Sequence, residues 1–149
     1  AHHLAAEGGR HGVATAVARR HGRIVGLAQG GPGRAFADDL AMARPREDLE
    51  EWGPPAFELT QLLVAPGAEG QGVGSRLHDV VIRGVRLPAL LLTHPEAAAA
   101  LRLYDRRGWG VLGHLDVAPG HPRLVLGRRP GDHPPRVGDR TSPDLSSSP

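Results

Sequence analysis

Val64-Ala65-Pro66-Gly67-Ala68-Glu69-Gly70-Gln71-Gly72-Val73-Gly74-Ser75 decides how the rest of the chain is read. An apolar run from Leu59 to Val64 stops at Pro66. Gly70, Gly72 and Gly74 then alternate with Gln71 and Val73, and an amphipathic pattern begins. A strand that turns through glycines into a helix leaves the first backbone N–H groups of that helix without partners. Those donors and the positive end of the helix dipole suit a phosphate. Glycine at positions 72 and 74 is expected to keep side chains from holding a diphosphate away from the amides.

Spacing separates the phosphate loops that could fit. A Walker loop needs Gly-Lys-Ser/Thr, and all eighteen basic residues here are arginine, so it is excluded. A Rossmann turn wants Gly-x-Gly-x-x-Gly directly after the strand. Here Pro66 and a short loop intervene and the third position is Ser75, a poor fit.

Downstream, Val73, Leu77, Val80, Val81 and Val85 recur at helical spacing, with Arg76, Asp79, Arg83 and Arg86 outside the stripe. Gly84 and Pro88 end that helix. Ala89 to Thr93 is a short, continuous apolar strand of the kind covered on both faces. Strand, helix, strand in this order implies a parallel crossover. Pro95 suits the first turn of a second helix, with Glu96 favourable at its dipole and Gly108 as its stop. Strands follow at Trp109–His114 and Arg123–Leu126.

Upstream, Phe57 to Val64 is a strand, and Gly12–Ala18 and Ile24–Gln29 form a hairpin about the polar turn Arg19–Arg23. Gly30 to Pro55 opens with Gly-Gly-Pro-Gly and closes with Gly-Pro-Pro. We expect low order over Gly30–Arg34 and one short helix within Asp38–Trp52. Ala1 to Arg10 reads as a tag remnant, or as the last turn of a helix whose start is missing. The opening at Ala1 without methionine fits a trimmed chain. The expected organisation is a remnant over 1–11, one domain over 12–128 and a disordered tail over 129–149, where apolar residues all but vanish.

Composition narrows the function classes. A chain of 149 residues with 40% hydrophobic content is one globular domain. The arginines are scattered and aromatics make up 3%, which does not support nucleic-acid binding. No apolar run approaches about 18–20 residues and no charged-then-apolar leader precedes Gly12, so neither a membrane span nor a signal peptide is expected. The absence of cysteine fits a cytoplasmic enzyme. The nine histidines lack metal-ligand spacing such as His-Glu-x-x-His, so no metal is expected.

The pattern Val-x-Pro-x-x-x-Gly-x-Gly-x-Gly-x-x-Leu over Val64–Leu77 resembles the acyl-CoA loop of the GNAT N-acyltransferase superfamily. A second segment, Ala97 to Trp109, resembles that family's Asn-x-x-Ala-x-x-Leu-Tyr-x-x-x-Gly-Phe stretch. The order and distance of the two make the pair far more specific than either alone, and the resemblance spans roughly Gly12 to Gly127. It implies an α/β (α+β) fold. The sheet would be mixed and mostly antiparallel, with a central parallel strand pair and two main helices. The family's N-terminal strand and helices have no counterpart before Gly12. Two further departures are Glu69, where the family usually has Gln or Arg, and Ala97, where it has asparagine.

The resemblance also implies a site. Acetyl-CoA would be the co-substrate, held by Leu62, Leu63 and Val64 on the strand and by Glu69, Gly70, Gln71, Gly72, Val73, Gly74 and Ser75 on the loop. Arg106 and Arg107 would lie near the CoA phosphates, although a helix C-terminus favours arginine anyway. Tyr104, the only tyrosine, would protonate the leaving thiolate; packing alone is the other reading. Glu58 would serve as base, directly or through water, or else be an ordinary exposed strand residue. His94, just past a strand end, is the histidine nearest the expected cleft. The acidic run Glu47 to Glu51 would attract a cationic acceptor or simply face solvent. The acceptor would be an amine on a small molecule or peptide, and the fold leaves room for a homodimer. The rival functions are a catalytically silent acyl-CoA-binding or interaction module and, from the glycines and Glu96, a nucleotide-binding oxidoreductase.

Overall fold

A computed structural model describes residues 3–8, 12–33, 52 and 55–131. Its strands are β1 (His3–Gly8), β2 (Ala14–Arg20), β3 (Arg23–Gly33), β4 (Ala56–Val64), β5 (Ala89–Thr93), β6 (Gly110–Asp116) and β7 (Pro122–Arg128). Helix α1 (Val73–Ile82) lies between β4 and β5, and α2 (Ala98–Arg106) between β5 and β6. The seven strands form one sheet in the order β1-β2-β3-β4-β5-β7-β6. Every neighbouring pair is antiparallel except β4 and β5.

Side-chain period explains the layers. Val73, Leu77 and Val81 recur every fourth residue of α1 and are buried against the sheet. Each such side chain contributes roughly 1.5–3 kcal/mol by leaving water. Leu103 and Tyr104 of α2 join the same core, as do Phe57, Leu59, Ala89 and Leu91. On the other face Trp52, Ala56, Leu90 and Val125 form a second, smaller core. Residues 89 to 91 thus alternate between the two cores, which is why this strand reads as unbroken apolar sequence.

Three expectations change. His3–Gly8 is neither a remnant nor a helix end: it pairs antiparallel with β2 from His3↔Arg19 to Gly8↔Ala14. Its small residues carry almost no periodic signal, and the ladder supplies what the pattern lacks. The glycine-rich stretch Gly30–Gly33 continues β3 and pairs with β4 through Gly33↔Ala56. A Cβ on Gly30 would fall 2.6 Å from the Phe57 ring, and one on Gly33 would overlap the Glu58 carboxyl. Those glycines make room for cross-strand neighbours rather than for a turn. Finally α2 begins at Ala98, not at Pro95, because Ala97 N–H and Ala98 N–H close a turn onto the carbonyls of His94 and Glu96. The helix expected within Asp38–Trp52, the run Glu47–Glu51 and the tail from Asp132 lie outside the described residues, Trp52 excepted.

Candidate active site

One extra residue in β4 shapes the site. Gln29 opposes Gln61 and Gly30 opposes Leu59, so Thr60 has no partner across the ladder. Its hydroxyl donates to the Gln29 carbonyl at 3.1 Å. A bulge shifts side-chain parity by one. Below it Phe57 and Leu59 face the main core; above it Leu62 and Val64 do, and Leu63 turns outward at 59% exposure.

The parallel ladder between β4 and β5 is short. It comprises only Phe57↔Ala89 and Glu58↔Leu90, while β5 stays paired with β7 up to Thr93↔Leu124. From Leu59 to Val64, then, β4 is paired with β3 alone among the described residues. Alternate N–H and C=O groups of Leu62, Leu63 and Val64 point to an open edge, available to a ligand's amides.

At the top of β4 the chain turns back through Ala65, whose N–H donates to the Val25 carbonyl at 2.8 Å. Gly70 and Gly72 then adopt φ of 71° and 75°, a region that side chains resist. Among the described residues nothing lies within 4 Å of a Cβ built on either. Gly72 is the N-cap of α1, and among the described residues no side chain caps the helix. The first-turn amides from Val73 to Ser75 thus lack a side-chain cap among the described residues, and uncapped helix-start amides suit a diphosphate. Gly74 differs from the expectation. Its Cβ would stand 3.4 Å from both Leu103 and Val64, so it points into packing and not toward a ligand. Its smallness lets β4, α1 and α2 meet at one place.

Tyr104, next to Leu103 on α2, is buried in the main core. Burial pushes its phenol up to about 12, so it stays protonated across the working range. Its ring makes tilted or edge contacts with His78 at 6.3 Å and Trp109 at 5.9 Å between centroids. Trp109 Nε1 donates to His78 Nε2 at 2.9 Å, and His78 Nδ1 lies 3.0 Å from an Asp79 oxygen. Since an indole only donates, Nε2 must be the acceptor and the imidazole proton sits on Nδ1. Arg107 grips Asp79 through Nε at 2.7 Å and Nη2 at 3.2 Å. None of this network was legible in the sequence. The only signal was His78 beside the apolar stripe.

Glu58 corrects the idea of an exposed strand residue: it is 5% exposed. It alternates with Phe57 and Leu59 and so lies on the sheet face opposite Tyr104, the face of Leu90, its register partner in β5. The two candidate proton carriers approach from opposite faces, and the sheet opens between β4 and β5 immediately beyond Glu58. Glu69, Gly70 and Gln71 are exposed on the loop. His94 is exposed, its Nδ1 accepting from Glu96 N–H at 3.3 Å.

Arg106 is not brought to the loop. It lines a separate cavity of about 580 Å³ with Arg83, Gly84 and Arg128, at the far end of α1 from the glycines. The reason is direction: α2 advances alongside α1, with Leu103 beside Gly74 and Arg107 beside Asp79, which carries its C-terminus away from the glycine loop. In its place the structure brings Arg20, whose Nη1 donates to Gln71 Oε1 at 3.0 Å across 51 residues of sequence. Among the described residues no group of three or more His, Cys, Asp or Glu gathers as a metal site, and no helix is long and apolar enough to cross a membrane.

Comparison with known proteins agrees with this architecture. No curated protein matches the sequence. Among solved structures, a histone acetyltransferase HPA2 and related acetyltransferase from Corynebacterium glutamicum is 28% identical, with a TM-score of 0.57 over 79% of this chain and 65% of that one. PH1933 from Pyrococcus horikoshii is 15% identical, TM-score 0.59, over 78% of this chain and 64% of that one. Arabidopsis thaliana Naa50, solved with the bisubstrate analogue CoA-Ac-MVNAL, is 16% identical, TM-score 0.56, over 76% and 71%. The chain thus spans just under two thirds of the length of the first two. The model of the acetyltransferase (GNAT) family matches residues 2–109, reaching through β1, β4, the glycine loop and α2. This chain belongs to the GNAT acetyltransferase family.

Proposed function

We propose that the chain is an acyl-CoA-dependent N-acyltransferase, moving an acetyl group from acetyl-CoA directly to a primary amine of a small molecule or peptide. The observation that carries this reading is the open edge of β4 beside an uncapped, glycine-led helix start. One element offers strand-like pairing to an amide-bearing arm, and the other offers amides to a diphosphate, as acetyl-CoA needs.

Acetyl-CoA supplies the thioester whose carbonyl carbon is attacked and whose thiolate leaves. The amides of Gly70–Ser75 hold the phosphates, and the edge of Leu62–Val64 holds the arm. A backbone N–H at Val64 or its neighbour donates to the carbonyl oxygen as negative charge develops there. An alkylamine with pKa near ~10 arrives protonated, so Glu58 takes a proton from the face opposite the helices. The amine nitrogen then bonds to the acyl carbon as the carbon–sulfur bond breaks. Tyr104 gives its proton to the sulfur, its raised pKa keeping that proton in place until then, and the second proton shed by the acylated nitrogen passes to solvent and replaces the one Tyr104 gave. A cysteine-free enzyme working on this co-substrate suits the cytoplasm.

The test is turnover of acetyl-CoA against a panel of amines and amine-bearing peptides, followed by thiol release. Acetylation of one class of amine supports the reading. Tight acetyl-CoA binding with no turnover of any amine would favour the silent binding module, and no binding would end both.

A further inference from the structure

The β2–β3 hairpin ends in arginines placed where they repel. Arg20 and Arg23 stand directly opposite each other across the two-residue turn His21–Gly22. Like charges in that position oppose strand pairing. Among the described residues neither forms a salt bridge, since the ion pairs there centre on Asp79. Such a tip gains from an anion.

Its position names the anion. Arg20 is half-buried on the face that carries α1, and Nη1 is held at 3.0 Å by Gln71 in the middle of the glycine loop. Gln71 in turn donates through Nε2 to the Gly67 carbonyl at 3.4 Å, tying the arginine to the start of the turn as well. The loop itself offers a polyanion an exposed carboxylate at Glu69. Arg76, in the first turn of α1, points Nε at the Gly72 carbonyl at 3.5 Å, and Arg23 is exposed with no such tether among the described residues. Among the described arginines, Arg20 is the one that reaches the loop from another strand, with the shorter bond of the two.

We infer that Arg20 is the residue through which this chain neutralises the diphosphate of CoA, supplying from the hairpin the cation that its loop lacks at Glu69. The inference rests on the acyl-CoA reading of the site. A guanidinium has five donors in a planar fork, and one of them is spent on Gln71. The remainder match two phosphate oxygens. Because Gln71 already restrains the side chain, little rotamer freedom is lost when the phosphate arrives.

Calorimetry on the full chain tests this with CoA and 3′-dephospho-CoA as probes. Arg20→Gln should weaken both ligands alike, by about tenfold at low salt, and the gap should narrow as salt screens the charge. Arg20→Lys keeps the charge and should lose about threefold or less. Unchanged CoA affinity in Arg20→Gln would overturn the inference while leaving the acyl-CoA reading intact. So would a loss confined to CoA, which would place Arg20 on the 3′-phosphate. An equal, salt-independent loss in the Lys and Gln variants would reduce Arg20 to a prop for the loop and also overturn it. Failure of the unaltered protein to bind CoA would instead defeat the reading beneath it.

Discussion

Trp109 Nε1 donates to His78 Nε2 at 2.9 Å inside the core, against one edge of the Tyr104 ring. The bond requires a neutral imidazole. Burial holds His78 below its ordinary 6.5, against the opposing pull of Asp79. Between the folded pKa and 6.5 the unfolded chain binds more protons than the folded one. The stability that His78 contributes is therefore complete above pH 6.5 and is lost as pH falls through that window.

Urea midpoints should accordingly hold steady from pH 8 to 7 and fall as pH drops below His78's ordinary 6.5. Asp79 is held below its usual 3.8 by Arg107 and His78 despite burial, so its own loss comes at lower pH. His78→Leu should cost about 1–3 kcal/mol at pH 8, because the Trp109 N–H is left unpaired, and should flatten the fall below pH 6.5. A variant that keeps the full slope would show that another group sets it.

Gly72→Val and Gly74→Val should separate binding from stability. A side chain at Gly72 enters open space before the helix amides, at a backbone cost of roughly 1–2 kcal/mol for the left-handed φ. Acetyl-CoA affinity should collapse while the fold survives. At Gly74 the new atoms meet Leu103 and Val64, so overpacking of about 1–3 kcal/mol should appear chiefly as a lower melting temperature. Equal acetyl-CoA affinity in Gly72→Val would remove the loop from the site.

Glu69→Arg should tighten CoA binding. Reversing an exposed charge beside a polyanion is worth on the order of 1 kcal/mol at low salt and less at high salt. Weaker or equal binding at low ionic strength would mean that this side chain faces away from the phosphates.

Tyr104→Phe keeps the ring against His78 and Trp109 and removes only the hydroxyl. General-acid help is typically worth ~10²–10⁴-fold, so kcat and kcat/KM should fall together by that order with CoA affinity and melting temperature nearly unchanged. With the phenol at about 12, the parent's kcat should show no alkaline fall from this group until pH approaches that value. A variant that loses stability but not rate would leave Tyr104 a packing residue.

Local pattern determined a good deal by itself. The order strand, glycine turn, helix, strand follows from where apolar periodicity changes and where glycines interrupt it, and β5 was legible at Ala89–Thr93 residue for residue. The stripe Val73, Leu77, Val81 identified the buried face of α1, because a helix repeats within reach of its own sequence. The paired signatures at Val64–Leu77 and Ala97–Trp109 pointed to the family for the same reason.

What only the tertiary structure decided involves register and direction. The bulge at Thr60 reverses which residues of β4 face the core, and no property of Thr60 announces it. The parting of β4 from β5 after Glu58, and the placing of Glu58 and Tyr104 on opposite faces, come from pairing between distant segments. So does the exchange of Arg106 for Arg20 at the glycine loop: helix direction carries one away and a hairpin brings the other across 51 residues. Periodicity reports how a segment meets a core, but which remote side chain stands beside it is set by strand register and helix direction, and neither is written locally.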